Sequence, residues 1–68
     1  MTVQKIGEQV KERRDLLHLQ QKDLAELSGV SLRTIIQVEN GFGNPSIGTL
    51  QKLAEVLGME MQITIKNK

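Results

Sequence analysis

One stretch, QKDLAELSGVSLRTIIQVEN at residues 21–40, constrains the fold of this 68-residue chain more than any other. Leu24 and Leu27 lie three residues apart, with Ala25 beside them, which gives a short helix one apolar face. Gly29 follows, and glycine readily adopts the left-handed backbone that ends a helix and turns the chain. The pattern therefore predicts a short helix that ends at a tight turn.

A second short helix is predicted directly after this turn. Ser31 is a good N-cap, Ile35 and Val38 have the spacing of a core face, and Gly41 ends the helix. The small side chain of Ala25 allows the two helices to cross closely. These features describe a helix-turn-helix unit, whose second helix can enter the major groove of DNA.

Three runs of sequence extend this pattern over most of the chain: QQKDLAELSGVS, TIIQVENG and NPSIGTLQKLAEVLG. In this order they resemble the helix-turn-helix domain of phage repressors and of the xenobiotic-response-element (Xre) family of bacterial regulators. The resemblance covers roughly residues 3–58 and implies a protein that binds double-stranded DNA. An ordinary helical hairpin without a role in DNA binding is the alternative.

The rest of residues 1–58 is expected to complete an all-α, lambda-repressor-like domain of four to five helices. A first helix is predicted from about Val3 to Leu17 and a last one from the Ser46 cap to Leu57, where Gly58 ends it. The apolar positions of these two helices are expected to face the core: Ile6, Val10, Leu16, Leu17, Leu50, Leu53, Ala54 and Leu57. The loop at residues 40–45 carries Phe42, whose ring we expect to pack in the core.

The C-terminal tail, residues 59–68, has a different periodicity. Apolar and polar residues alternate strictly, with Met59, Met61, Ile63 and Ile65 on one side and Glu60, Gln62, Thr64 and Lys66 on the other. This pattern predicts a half-buried β-strand. Because a lone strand is unstable in water, we expect the tails of two subunits to pair across a homodimer.

The tail is also similar to that of short Hip-type antitoxins, whose C-terminal strands join two subunits. This resemblance covers eight residues and implies a kinase-like toxin protein as a second partner.

Candidate DNA-binding residues lie mostly on the outward side of the second helix of the unit. Arg33 can bond to O6 and N7 of guanine, and Gln37 can bond to N6 and N7 of adenine. Leu32 and Ile36 are suited to thymine methyl groups, although burial of Ile36 against the first helix or a partner chain is an equal alternative. Ser31 and Thr34, at the start of the helix, complete this face, and Thr34 is a candidate donor to phosphate.

Further site residues follow from the resemblance to the Xre family. Gln21 matches a glutamine that contacts the DNA backbone, and Asn40 matches the loop that donates to phosphate. The resemblance also implies a structural ion pair between Arg14 and Glu39. Arg13 is then expected to be solvated or to face phosphate.

Gln20 stands where most relatives of the Xre family have a Thr or Ser cap. Glutamine caps a helix poorly. This helix start is therefore expected to fray or to find another partner.

Composition excludes several classes of function. The chain has no cysteine, tyrosine or tryptophan and one histidine, so we expect no disulfide, no metal site, no cofactor and no enzyme activity. The polar N-terminus and the absence of a long apolar run predict a soluble cytoplasmic protein without a membrane partner. A net charge of +1 is weak for a protein that binds nucleic acid, so the distribution of charge matters more than its sum.

Together these features predict a sequence-specific transcriptional repressor that binds an inverted-repeat operator as a homodimer. We favour the antitoxin of a toxin–antitoxin pair that regulates its own operon, because no ligand-sensing domain is expected. One alternative is a stand-alone Xre-type regulator without a toxin. Another is a protein–protein adaptor that kept the fold and lost DNA binding, which the low net charge and the apolar Leu32 and Ile36 would suit.

Overall fold

The computed structural model describes residues 2–66 and contains four α-helices in that range. They are α1 (Val3–Leu16), α2 (Gln21–Ser28), α3 (Leu32–Glu39) and α4 (Ile47–Leu57). Helices α1 and α2 each pack against both α3 and α4. The expected all-α architecture is confirmed for the described residues, and none of its helices is long and apolar enough to span a bilayer.

Side-chain caps determine where the helices begin. Hydroxyl oxygens accept the N–H of the third helical residue at the starts of α1, α3 and α4, at 3.0, 3.1 and 3.1 Å; these caps are Thr2, Ser31 and Ser46. At α2 the bond runs the other way, because the backbone N–H of Gln20 donates to Oδ2 of Asp23 at 2.8 Å. Gln20 has therefore found another partner, which removes one unpaired group from the helix start.

A left-handed residue follows or caps the end of each of the four helices: His18, Gly29, Gly41 and Gly58. Gly29 and Gly58 close α2 and α4 with φ angles of 75° and 69°. His18 ends α1 with φ of 59°, although it is not a glycine. The N–H of the next residue, Leu19, reaches back to the carbonyl of Arg14 at 3.1 Å, as in a Schellman motif.

The core is built from aliphatic side chains of all four helices and of the turn between α2 and α3. The buried apolar residues are Val10, Leu24, Val30, Ile35, Val38, Leu50, Leu53 and Leu57. The expected inward face of α4 is confirmed. The expectation for Leu16 and Leu17 is wrong, because both are exposed. The buried face of α1 continues from Val10 to Arg14, and the helix ends before Leu17 can reach the core.

Helices α1 and α3 cross at Gly7. A Cβ atom at this position would overlap the carbonyl oxygen of Val38. The absence of a side chain therefore allows the two backbones to meet. This close approach gives the domain its central helix pair.

The expected core position of Phe42 is wrong, because its ring is exposed. Gly41, with φ of 75°, turns the chain at the end of α3, and the N–H of Phe42 donates to the carbonyl of Gln37 at 2.9 Å. The core is already filled by aliphatic residues, so the ring after this turn remains in solvent.

The expected strand in the tail is not present in residues 59–66. Met59 donates its N–H to Ala54 at 2.9 Å and packs against the core, whereas Met61, Ile63 and Ile65 are exposed. A strand needs a neighbour, and the described part of the chain offers no other extended segment for pairing. Residue 1 of the expected domain and residues 67 and 68 of the tail lie outside the described range.

Candidate functional site

The outward side of α3 is a continuous exposed surface. Its exposed side chains are those of Leu32, Arg33, Ile36 and Gln37. Beneath them, Ile35 is fully buried and Val38 is almost fully buried. The orientation expected from helical periodicity is therefore the one the fold adopts. Arg33 and Gln37 present a guanidinium and an amide to solvent, and the two aliphatic side chains lie on the same face.

Both hydroxyl groups at the start of α3 take part in its N-cap. Oγ of Ser31 accepts the N–H of Thr34 and donates its own proton to Oγ1 of Thr34, at 2.8 Å. Ser31 has therefore used its only proton, whereas the hydroxyl proton of Thr34 is left for another acceptor. Of the two, Thr34 is the one suited to donate to a phosphate oxygen.

Arg14 and Glu39 form a buried ion pair at the other end of α3. Nε of Arg14 donates to Oε2 of Glu39 at 2.7 Å, and Nη2 donates to Oε1 at 3.0 Å. Nη1 donates to the carbonyl of Leu19 at 2.7 Å, so the guanidinium also closes the turn after α1. The hydrogen bonds to Glu39 raise the pKa of Arg14 above its ordinary value, against the opposing effect of burial. The pair therefore holds α3 against α1.

Gln21 belongs to the same buried network. Its Nε2 donates to Oε1 of Glu39 at 3.0 Å, which ties the first turn of α2 to the last turn of α3. One N–H of the amide and the amide oxygen are left for a ligand. The bond also places Gln21 beside the end of α3, where the exposed Asn40 follows directly.

The expectation that Arg13 is solvated or faces phosphate is wrong. Nε of Arg13 donates to the carbonyl of Leu57 at 2.8 Å, which is at the C-terminal end of α4. A cation there satisfies an unpaired carbonyl and interacts favourably with the helix dipole. Arg13 therefore joins α1 to the end of α4.

The structure thus gathers the eight candidate DNA-binding residues around one helix. Six lie on α3 or at its N-cap, and two lie at its C-terminal end; in chain order the set is Gln21, Ser31, Leu32, Arg33, Thr34, Ile36, Gln37 and Asn40. The sequence did not indicate the bonds from Gln21 to Glu39 or from Arg13 to Leu57, because the partners are 18 and 44 residues away.

Comparison with known proteins matches residues 10–63 to the helix-turn-helix family. A protein of Methanothermobacter thermautotrophicus, named as an HTH-type transcriptional regulatory protein, is 37% identical over 59 residues, which cover 87% of this chain and 19% of that protein. An uncharacterized HTH-type transcriptional regulator of the same organism is 41% identical over 51 residues, covering 75% of this chain and 74% of that protein.

A phage protein is also similar. The ImmF control region 10 kDa protein of Bacillus phage phi105 is 30% identical over 59 residues, covering 87% of this chain and 66% of the phage protein. The chain thus spans about a fifth of one of these curated relatives and from 66% to 74% of the other two.

Proposed function

Because the chain belongs to the Xre/Cro-type helix-turn-helix family of DNA-binding transcription regulators, we propose that it is a sequence-specific repressor that reads DNA with α3. The observation that carries this proposal is the exposed face of α3, with Arg33 and Gln37 pointing away from a closed core. A helix with this exposure, presented by α2 and a tight turn, suits the width of the major groove.

Direct base recognition is assigned to four side chains of α3. Arg33 bonds to O6 and N7 of a guanine, and Gln37 bonds to N6 and N7 of an adenine. Leu32 and Ile36 lie on the same exposed face and contact thymine methyl groups. These contacts give specificity, because each base pair presents a different pattern in the major groove.

The backbone of DNA is contacted at both ends of α3. Thr34 donates to a phosphate at the N-terminal end, close to the positive end of the helix dipole. Gln21 and Asn40 donate to phosphates at the C-terminal end, and Glu39 holds the Gln21 amide in place. Such contacts set the position of the helix without reading sequence.

Two copies of the chain bind together on an inverted repeat. The unpaired tail, with its alternating apolar residues, supports a homodimer in which the two tails pair as antiparallel strands. A fixed two-fold dimer places two recognition helices about one turn of DNA apart, ~34 Å, which sets the spacing of the half-sites.

The antitoxin role rests on the similarity of the tail to Hip-type antitoxins. In this form of the proposal the dimer represses its own operon, and a kinase-like toxin protein is the second partner. A kinase-like gene beside the gene for this chain, and a stable complex of the two purified proteins, would support it. Failure of the neighbouring gene product to bind would leave a stand-alone regulator.

A titration of genomic DNA fragments at two salt concentrations tests the repressor proposal. We expect one fragment to be preferred and the affinity to fall steeply with salt, because phosphate contacts release counterions. Equal, weak affinity for all fragments would contradict the proposal and favour the adaptor alternative.

A further inference from the structure

An open groove of about 660 Å³ lies at the base of the tail. It is lined by side chains of α1 and by the first two residues of the tail: Gln9, Glu12, Arg13, Leu16, Met59 and Glu60. Leu16 is 66% exposed, which leaves a large apolar side chain in solvent beside Met59. The groove therefore combines an apolar wall with two carboxylates, and Arg13 already donates to Leu57.

The tail leaves this groove with its own apolar side uncovered. Ile63 and Ile65 are 92% and 95% exposed, and Lys66 extends beyond them. The exposed isoleucines match the apolar wall of the groove, and the lysine is opposite in charge to Glu60. The chain thus carries both an uncovered apolar tail and a surface of complementary chemistry.

We propose that the groove receives the end of the tail from a second copy of this chain, with the two tails paired antiparallel about a two-fold axis at Ile63. The inference rests on the homodimer of the proposed function and adds the register of the strands and the surface they cover. In this register Glu60 of each copy lies opposite Lys66 of the other, and Met61 lies opposite Ile65.

Pairing rules select this register among its neighbours. In a two-fold antiparallel pair, apolar faces coincide only when the axis passes through a residue, because side chains alternate between faces. An axis at Gln62 matches apolar residues, but it puts Glu60 opposite Thr64 and leaves Lys66 opposite Gly58. The charges at the two ends of the strand then have no opposite partner.

An axis at Thr64 gives Glu60 an opposite charge but does not match all the apolar residues. It allows Glu60 to face a lysine at position 68, but it puts the apolar Met61 opposite Asn67. The axis at Ile63 pairs residues of like polarity throughout positions 60–66 and pairs opposite charges at the ends, which favours cross-strand association.

The same register carries Ile65 to the groove. Ile65 of the partner copy lies opposite Met61 and is therefore diagonal to Met59, within reach of a long side chain. Leu16 lies in the same wall as Met59. The next residue of the partner, Lys66, lies on the other face of the paired strands, opposite Glu60. The strand end thus covers the apolar wall of the groove with Ile65 and pairs its lysine with Glu60.

Cysteine cross-linking tests the register directly, because the chain has no cysteine of its own. Only a residue on the axis lies opposite its own copy, at a Cα separation of about 4.5–5.5 Å that a disulfide can bridge. We expect Ile63→Cys to form a disulfide-linked dimer under mild oxidation much faster than Gln62→Cys or Thr64→Cys. Faster linkage at either neighbour would overturn the register.

Two matched substitutions test the groove. Leu16→Lys puts a charge in the apolar wall that Ile65 of the partner covers, and we expect at least about a ten-fold rise in the dimer dissociation constant. Leu27→Lys is the control, because Leu27 is 63% exposed but lies on α2, outside the groove. Sedimentation measures both variants. Unchanged dimers in both would mean that the groove is not part of the interface.

A charge exchange tests the pairing of Glu60 with Lys66. E60K or K66E alone places like charges opposite each other twice per dimer, and the double variant restores opposite charges. We expect each single variant to weaken the dimer and the double variant to recover it. A double variant as weak as the singles would contradict the assignment.

Binding to a single half-site separates this inference from the DNA-binding proposal. A wild-type chain that sediments as a monomer but prefers one half-site sequence would overturn the paired tails and leave recognition by α3 intact. A dimer with the expected cross-link but no preference among DNA sequences would support the paired tails and overturn recognition by α3.

Discussion

His18 has a strained backbone conformation at the end of α1. A left-handed conformation costs a residue with a Cβ atom about 1–2 kcal/mol, and φ at His18 is 59°. His18→Gly should therefore raise the free energy of unfolding by up to about 1 kcal/mol, after the greater chain entropy of glycine is subtracted. Urea unfolding measures this. His18→Ala is the control, since it removes the imidazole but keeps the strain; a glycine variant no more stable than the alanine variant would contradict the argument.

Arg33 is the residue on which sequence recognition depends most. Replacing Arg33 with Ala should weaken operator binding by about 1–3 kcal/mol and remove the preference at one base pair, because a bidentate contact to guanine is lost. Binding to the operator and to point-changed operators measures both effects. Lys52→Ala is a control with the same change of charge on exposed α4 surface. If Arg33→Ala keeps the operator affinity and the base preference of the parent chain, α3 does not read DNA as proposed.

At the scale of elements, the crossing of α1 and α3 depends on Gly7. In an isolated helix, Gly→Ala is stabilising by up to about 1 kcal/mol. Gly7→Ala should instead destabilise the domain by about 1–3 kcal/mol, because the new methyl group would overlap the backbone of Val38 and push the helices apart.

Gly48→Ala provides the matched comparison on α4. A Cβ there would meet only Oγ of Ser46, at 3.8 Å, so the helix gains stability without a clash. Thermal unfolding of the two variants should give shifts of opposite sign. Shifts of the same sign would mean that the crossing can relax around a methyl group.

The buried ion pair is the second link between elements. Arg14→Ala would leave Glu39 buried without its cation and should cost about 3–5 kcal/mol, comparable with the whole stability of a small domain. Arg13→Ala loses one hydrogen bond to Leu57 and should cost about 1 kcal/mol. Melting temperatures of the two variants measure the difference, and equal values would refute the structural role of Arg14.

At the scale of the whole molecule, residues 61–68 are expected to control assembly and not folding. A chain ending at Glu60 keeps Met59, whose N–H closes α4 and whose side chain packs on the core. It should therefore fold, sediment as a monomer and keep weak affinity for one half-site, while tight binding to the inverted repeat is lost. A truncated chain that remains a dimer would place the interface on the helices.

Local signals determined most of the helical architecture. The caps at Ser31 and Ser46 and the left-handed glycines at 29 and 58 act on residues within four positions of themselves, so they could be recognised without the fold. The outward direction of Arg33 and Gln37 followed from periodicity for the same reason. The expected Arg14–Glu39 contact came from the resemblance to a family and not from these local patterns.

Contacts between distant segments were decided only by the tertiary structure. Arg13 and Arg14 are neighbours in sequence, yet one bonds to the end of α4 and the other to the end of α3. Phe42 and Leu17 are apolar and exposed because the aliphatic core closes without them, and Gly7 matters because of the backbone it faces. The alternating tail shows the same difference between what a local pattern determines and what the tertiary structure decides. Periodicity along the chain gives a strand its two faces, but a strand forms only where a neighbouring backbone completes its hydrogen bonds.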